Sequence, residues 1–264
     1  MTTVARPTTS DSAHFYTKDG QPMHFVERSD GKGLRPATLR DARKLGLLPS
    51  PTSILKVLRA PQLESWLTEQ ACLAVLTAPR KEGEDLDAFV ERVLHTERQQ
   101  DEQARKARDL GTEIHAGIAA VLSGKPCLLA EHEPFVMPAI EAMKVFGDVM
   151  LTEKVVVGDR CAGRLDAIFN DGTTRTVVDL KTATNPPLKG SWLEHKLQLS
   201  MYAAAIAFPD IPVELRTANV YIGTRAPGIV VVDVHADWRH TYERGFKPLL
   251  DFWMFANNYD PAQP

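Results

Sequence analysis

Asp179 and Lys181 stand two residues apart in the run "VVDLKT", directly after the β-branched pair Val177 and Val178. In a strand, alternate side chains share a face, so this acid and this ammonium project together while Leu180 turns the other way. A second acid, Asp166, lies in the preceding strand-like run "CAGRLDAIFN", and the turn "NDGT" folds the two runs back on each other. Counting outward from that turn brings Asp166 within a rung or two of Asp179. Two carboxylates so close on a buried sheet repel, and a cation between them relieves the repulsion. Oxygen ligands of this kind suit a hard divalent ion, Mg2+ or Mn2+. Lys181 is then placed to orient or deprotonate a water, or to stabilise charge on a phosphoryl oxygen. A bare DxK also fits a surface salt bridge on an exposed strand; the acid that follows Gly163 favours the metal reading.

The elements that must position these residues follow from the patterning. From Val149 onward, "VMLTEKVVVG", "CAGRLDAIFN" and "TRTVVDLKTA" read as three strands. "SWLEHKLQLSMYAAAIAF" then reads as a helix with Ser191 as cap and Pro209 as stop, and "VELRTANVYIG" and "GIVVVDVH" as two further strands. A last helix carries Trp238, Tyr242, Phe246, Leu249, Leu250 and Trp253 at helical spacing, a stripe expected to pack in the core. The first half is mainly helical. Residues 1–35 read as a flexible terminus with a hairpin at "KDGQ", and Thr38 as the cap of a short helix. Residues 36–125 read as a helical region, broken at Pro61, and residues 126–264 as the strand-rich core. The middle of the long helix, "TERQQDEQARKARD", is polar all round and reads as a solvated face laced with ion pairs. The fold class expected is α/β: a core of order βββαββα with a mainly helical N-terminal half.

Bulk properties narrow the functions available. The 264 residues are 44% hydrophobic and 25% charged, ordinary for a globular protein. No apolar run is long enough to span a bilayer, and "MTTVARPTTSDS" lacks the apolar centre of a signal peptide, so a cytoplasmic protein is expected. Cys72, Cys127 and Cys161 are scattered, with no CxxC pair; an iron–sulfur cluster, which needs four ligands, is not expected. No GxxxxGK[ST] loop occurs, so no ATP-driven motor is built in. A net charge of −3 excludes binding nucleic acid by bulk positive charge, though not a local basic groove.

The pattern "GRLDA…VVDLKT" resembles the active-site core of the PD-(D/E)xK nuclease superfamily, with Leu165 where the eponymous proline would be. "QLSMY" (residues 198–202) is similar to the QxxxY motif of RecB-type members, and "GTEIH" (residues 111–115) to their upstream helical GxxxH motif. All four occur in that group's order. "SPTSILKVLRAPQLESWLTEQ" resembles, less specifically, the opening of phage-encoded exonucleases of the group.

The resemblance implies a restriction-endonuclease-like core, a mixed central sheet flanked by helices, on which the region 36–125 packs and to which it contributes His115. It implies metal coordination by His115, Asp166, Asp179 and the backbone carbonyl of Leu180, with Lys181 catalytic. Gln198 and Tyr202, at i and i+4 on one helix face, would contact DNA or orient Lys181 and the scissile phosphate. Glu153, in "TEKVV", is a further candidate ligand or an edge-strand partner of Lys154 or Arg164. Taken by themselves, His115 fits packing within its helix and Tyr202 fits the core. Arg98, Arg105, Lys106 and Arg108 are candidates for phosphate contacts. The activity expected is Mg2+- or Mn2+-dependent hydrolysis of DNA from linear ends, single-stranded ends among the candidates, leaving 5′ phosphates, in phage-type recombination, repair or degradation. A single-strand annealing protein or a helicase would be a partner. The competing expectations are a structure-specific or restriction-like endonuclease using the same site, and a noncatalytic DNA-binding or assembly protein on a nuclease fold.

Overall fold

The structure, a computed structural model, describes residues 14–28, 30–58, 76–207 and 214–262, the side chains at 87, 90, 91 and 94–108 excepted. The tail to Ser12, the break at Pro61, Cys72 and the stop at Pro209 fall outside the described residues. The chain divides into two compact units, one of Met1–Val57 with His115–Pro264 and one of Leu58–Ile114.

In the larger unit, β1 (Phe15–Tyr16) and β2 (Phe25–Glu27) flank the expected hairpin turn without pairing with each other as strands. Thr17 and Gln21 close that turn, but the two arms share a single bridge, Tyr16 to Pro22. Pro22 has no N–H with which to extend a ladder. β2 pairs instead with β3 (Leu34–Pro36), and β1 with β4 (Leu48–Pro49). Between them α1 (Leu39–Leu45) starts at Thr38 in a capping box with Asp41. α2 (Pro51–Leu55) is capped by Ser50 and delivers Ile54 to the main core.

The long helix α3 (Leu86–Leu122) crosses the boundary between the units. Within the smaller unit, Asp85 accepts the Ala88 N–H at its start, and Arg92 holds Glu84 through two hydrogen bonds of 2.8 Å. In the larger unit, α4 (Glu133–Met143) precedes the sheet.

Five strands form that sheet: β5 (Asp148–Val157), β6 (Ala162–Asn170), β7 (Thr174–Ala183), β8 (Glu214–Gly223) and β9 (Val230–His235), in spatial order β5-β6-β7-β8-β9. The pairs are antiparallel except β7 with β8, which run parallel across the crossover helix α5 (Leu193–Ile206). The cap of α5 is Trp192 rather than Ser191, whose amide is bound by Asp233 on β9 at 2.5 Å.

The core gathers Leu165, Val177, Leu197, Leu199, Phe246 and Leu250, with Tyr242 and Leu249 packed against it. The aromatic stripe of the last helix is therefore core, as its spacing predicts. That helix is not continuous, however: α6 (Trp238–Thr241) passes through a π turn at Tyr242–Phe246 into α7 (Lys247–Ala256). Pro248 lacks an N–H and its ring crowds the carbonyl four residues back, and the wider turn accommodates it. No described helix is long and apolar enough to cross a membrane.

Candidate active site

One row of side chains runs across the sheet. Thr152 pairs with Ala167 and Lys154 with Leu165, which sets Glu153 opposite Asp166. The β6–β7 ladder runs from Asn170–Arg175 as far as Ala167–Val178, so Asp166 and Asp179 are the next facing positions, where regular pairing has stopped. On the parallel side Asp179 is level with Asn219, and Asn219 in turn with Asp233. Where the ladder lapses, the side chain of Asp166 takes over: its Oδ2 accepts the Leu180 N–H at 2.7 Å.

Each member of the row is held by named partners. His115, on the last third of α3, places Nδ1 3.2 Å from Asp166 Oδ1. Lys181 Nζ lies 2.8 Å from Asp179 Oδ2 and donates to Gln198 Oε1 at 3.0 Å. Gln198 Nε2 donates to the Tyr202 hydroxyl at 2.9 Å, so the i, i+4 pair on α5 is one hydrogen-bonded unit seated on the lysine. The Tyr202 ring in turn lies against Gly163. A Cβ at that position would come within 2.7 Å of it, which is a physical reason for a glycine three residues before Asp166.

Asn219 and His235 extend the site beyond the residues expected from sequence. Asn219 Nδ2 donates to Asp179 Oδ2 at 3.2 Å, which leaves its Oδ1 to accept from His235 Nε2, also at 3.2 Å. Burial pushes the His235 pKa down, consistent with a neutral ring donating through Nε2. The available signal was a lone amide inside the otherwise apolar run "ANVYIG". Its partner could not be inferred, because the register of a parallel pair is set through an intervening helix.

The electrostatics are those of charges withdrawn from water. Burial, the largest influence, pushes Asp179 up, and the Asp166 charge adds to it against the pull of Lys181. Asp166 is buried too, but its bond to His115, the Leu180 amide and the charge of Lys181 bring it below the ordinary value. For His115 and Lys181, burial pulls downward but is outweighed by the carboxylates they face, so both pKa values are raised. Glu153 is raised by burial, with Asp166 contributing. Its backbone is left-handed, φ 51°, an uncommon conformation for a residue with a Cβ, and its Oε2 lies 3.1 Å from Arg164 Nε.

Among the described residues, no three His, Cys, Asp or Glu side chains are grouped as metal ligands in their present conformation. The oxygens face Lys181, Asn219, His115 and the Leu180 amide instead. The donor chemistry nevertheless fits a hard divalent cation. Two facing buried carboxylates, one with its pKa raised, gain from positive charge between them, and an imidazole stands at hydrogen-bonding distance. The structure thus brings together His115, Glu153, Asp166, Asp179, Lys181, Gln198 and Tyr202. The side chains of Arg98, Arg105, Lys106 and Arg108 lie outside the described residues.

Comparison with known proteins points the same way. No curated protein matches the chain. The crystal structure of SSO0001 is similar at 18% identity and a TM-score of 0.31, over 47% of this chain and 57% of that one, so the chain spans little more than half of that relative's length. A model of the PD-(D/E)XK nuclease superfamily matches residues 70–224, which include every residue of the row from Glu153 to Asn219, His115, and the Gln198–Tyr202 pair. That match covers more than half of the 264 residues, and the chain belongs to the PD-(D/E)XK nuclease superfamily.

Proposed function

We propose that the protein is a metal-dependent deoxyribonuclease that hydrolyses phosphodiester bonds at DNA ends and leaves 5′ phosphates. The observation that carries the reading is the grouping of Asp166, Asp179 and Lys181 at the point where the β6–β7 ladder opens, with Gln198 bonded to the lysine. Nucleases of this superfamily generally use divalent metals. Asp166 and Asp179, with His115 and the Leu180 carbonyl, would hold an Mg2+ or Mn2+ ion, which supplies Lewis-acid polarisation of the phosphate and acidification of a water. Lys181, kept as an ammonium by the acids it faces, offers a proton donor and a positive charge to a phosphoryl oxygen. Gln198 fixes that ammonium from the helix side, and Tyr202 fixes Gln198. The Gln198–Tyr202 pair supports action at ends, because the QxxxY group that it resembles is dominated by end-processing enzymes.

A gel series tests both levels of the reading. Linear duplex, linear single-stranded and closed circular DNA are incubated with Mg2+, Mn2+ or EDTA, using wild type beside Lys181→Ala and Asp179→Ala. The expected result is metal-dependent loss of linear DNA only, reduced about 10²- to 10⁴-fold or more in both variants. Cut circles would replace the exonuclease with an endonuclease using the same site. DNA binding in EDTA with no cleavage under any condition would replace the enzyme with a binding protein.

A further inference from the structure

The segment that leaves β7 beyond Lys181 returns as α5, and it carries an aromatic group that the chemistry above does not use. Trp192, at the cap of α5, is 46% exposed. Its ring meets Tyr221 edge-on at a centroid distance of 5.7 Å and His195 at 5.3 Å. Both supports belong to the site's surroundings. Tyr221 is wholly buried, is the register neighbour of Lys181 on β8, and has its hydroxyl 2.9 Å from His195 Nδ1. The backbone that delivers the indole is fixed as well. Gly190 makes the bend at φ 101°, and the next amide, Ser191, is held by Asp233, itself level with Asn219 in the polar row. Leu188 and Leu193, on either side in sequence, are 86% and 60% exposed.

Holding a tryptophan still costs conformational freedom, and this one recovers only part of that cost by burial. The remaining exposed ring, braced on the residue level with Lys181, is suited to a flat partner. Bases stack on aromatic side chains in this manner, and do so regardless of sequence, because every base has a π face. A base inside a duplex is already stacked on both sides, so only an unpaired or frayed nucleotide can use the platform. Burial, then the charge of Lys181, pushes His195 down to about 4, so the buttress is a neutral ring at neutral pH and not a phosphate-binding cation.

We infer that Trp192, braced by His195 and Tyr221, stacks an unpaired nucleobase of the strand whose phosphate lies at Lys181, so that the site takes its substrate as a single strand or a frayed end. The inference rests on the nuclease reading and gives that site its substrate class.

The test uses the full chain and short single-stranded oligonucleotides carrying one abasic residue at each position in turn, with wild type, Trp192→Ala and Trp192→Phe. Trp192→Ala is expected to raise KM about 5- to 100-fold with kcat little changed, and Trp192→Phe to recover most of the loss. At one position the abasic residue should raise the wild-type KM by a similar factor and leave that of Trp192→Ala unmoved. An alanine variant with wild-type KM, a phenylalanine variant no better than alanine, or no such position overturns the stacking while leaving the nuclease intact. If wild type with Mn2+ cleaves linear duplex but none of the oligonucleotides, the single-strand inference is overturned and the nuclease stands; if it cleaves neither, the nuclease reading is what fails. Tryptophan fluorescence with the same oligonucleotides in EDTA then decides the stacking separately: quenching lost in Trp192→Ala supports it, and quenching unchanged or absent in wild type overturns it.

Discussion

The β6–β7 hairpin carries an aspartate at each end, and the two are treated in opposite ways. At the turn, Asp171 accepts the N–H groups of Thr173 and Thr174 at 2.9 and 2.8 Å and the Thr173 hydroxyl at 2.7 Å. Those amides, with the Thr173 hydroxyl and Arg216 nearby, hold its pKa down to about 2 at the surface. At the far end, Asp179 is buried across from a second carboxylate, and its pKa is raised. Asp171 is satisfied by its own neighbours and closes a turn. Asp179 is met by side chains instead, Lys181 two residues along its own strand and Asn219 from β8, both of which approach its Oδ2. Turn amides mark Asp171 as an acid that builds structure, and burial opposite a second carboxylate marks Asp179 as the one proposed for chemistry.

Removing Asn219 strikes the available end hardest without touching the acids or the lysine. Asn219→Ala deprives Asp179 of its amide donor and leaves buried His235 without its acceptor. A lost hydrogen bond of this kind costs about 1–3 kcal/mol, so kcat is expected to fall roughly 5- to 150-fold, with KM moving much less. Asn219→Asp, which adds a third carboxylate to the row, should be worse still. Steady-state kinetics beside a thermal melt decide the matter. A variant that melts lower yet retains wild-type kcat would make Asn219 a packing residue, and the two ends of the hairpin would then differ less than proposed.

Glu153 sharpens the contrast from the other side. Its left-handed backbone, opposite Asp166, costs about 1–3 kcal/mol that a glycine would not incur. Glu153→Gly loses an ion pair to a largely exposed Arg164, which is worth about 0–1 kcal/mol. Stability should therefore hold or rise by on the order of 1 kcal/mol, while cleavage drops several-fold. A glycine variant as active as wild type would remove Glu153 from the site and leave its strain without a functional reason.

How much of this was legible in the sequence depends on how far each contact reaches. The grouping of Asp166, Asp179 and Lys181 follows from strand alternation and one short turn, all within a continuous stretch. Gln198 and Tyr202 share a helix face by spacing alone. The partner of β1 is not legible, because it lies beyond three intervening elements, at β4, while a nearer turn offers itself first. Ser191 reads as a cap, yet the cap is Trp192, and the Ser191 amide goes to Asp233 on a strand far along the chain. Asn219 meets Asp179 only through a parallel register that a helix sets, and His235 joins them through Asn219. The π turn before Pro248 shows the same limit locally. The proline announces a disturbance, but the close packing of the same turn, where a Cβ on Gly245 would stand 2.5 Å from Leu197, involves a helix distant in sequence.

The smallest effect belongs to the satisfied end, and there the sign of the pH dependence is diagnostic. The pKa of Asp171 falls on folding, from an ordinary 3.8 to about 2, so its charged form favours the folded state. That contribution is complete above pH 3.8 and is lost as the pH falls through about 2. Asp171→Asn should therefore melt slightly below wild type at neutral pH, with the gap closing across that acid window, and cleavage should be unchanged at neutral pH. The position of the carboxylate at the surface keeps the gap small. A gap that widens on acidification would mean that the turn amides do not favour the charged form. A loss of cleavage without a change in melting would be more consequential: it would mean that the turn sets the opening of the strands at Asp166 and Asp179, and that the acid built into structure also serves the site.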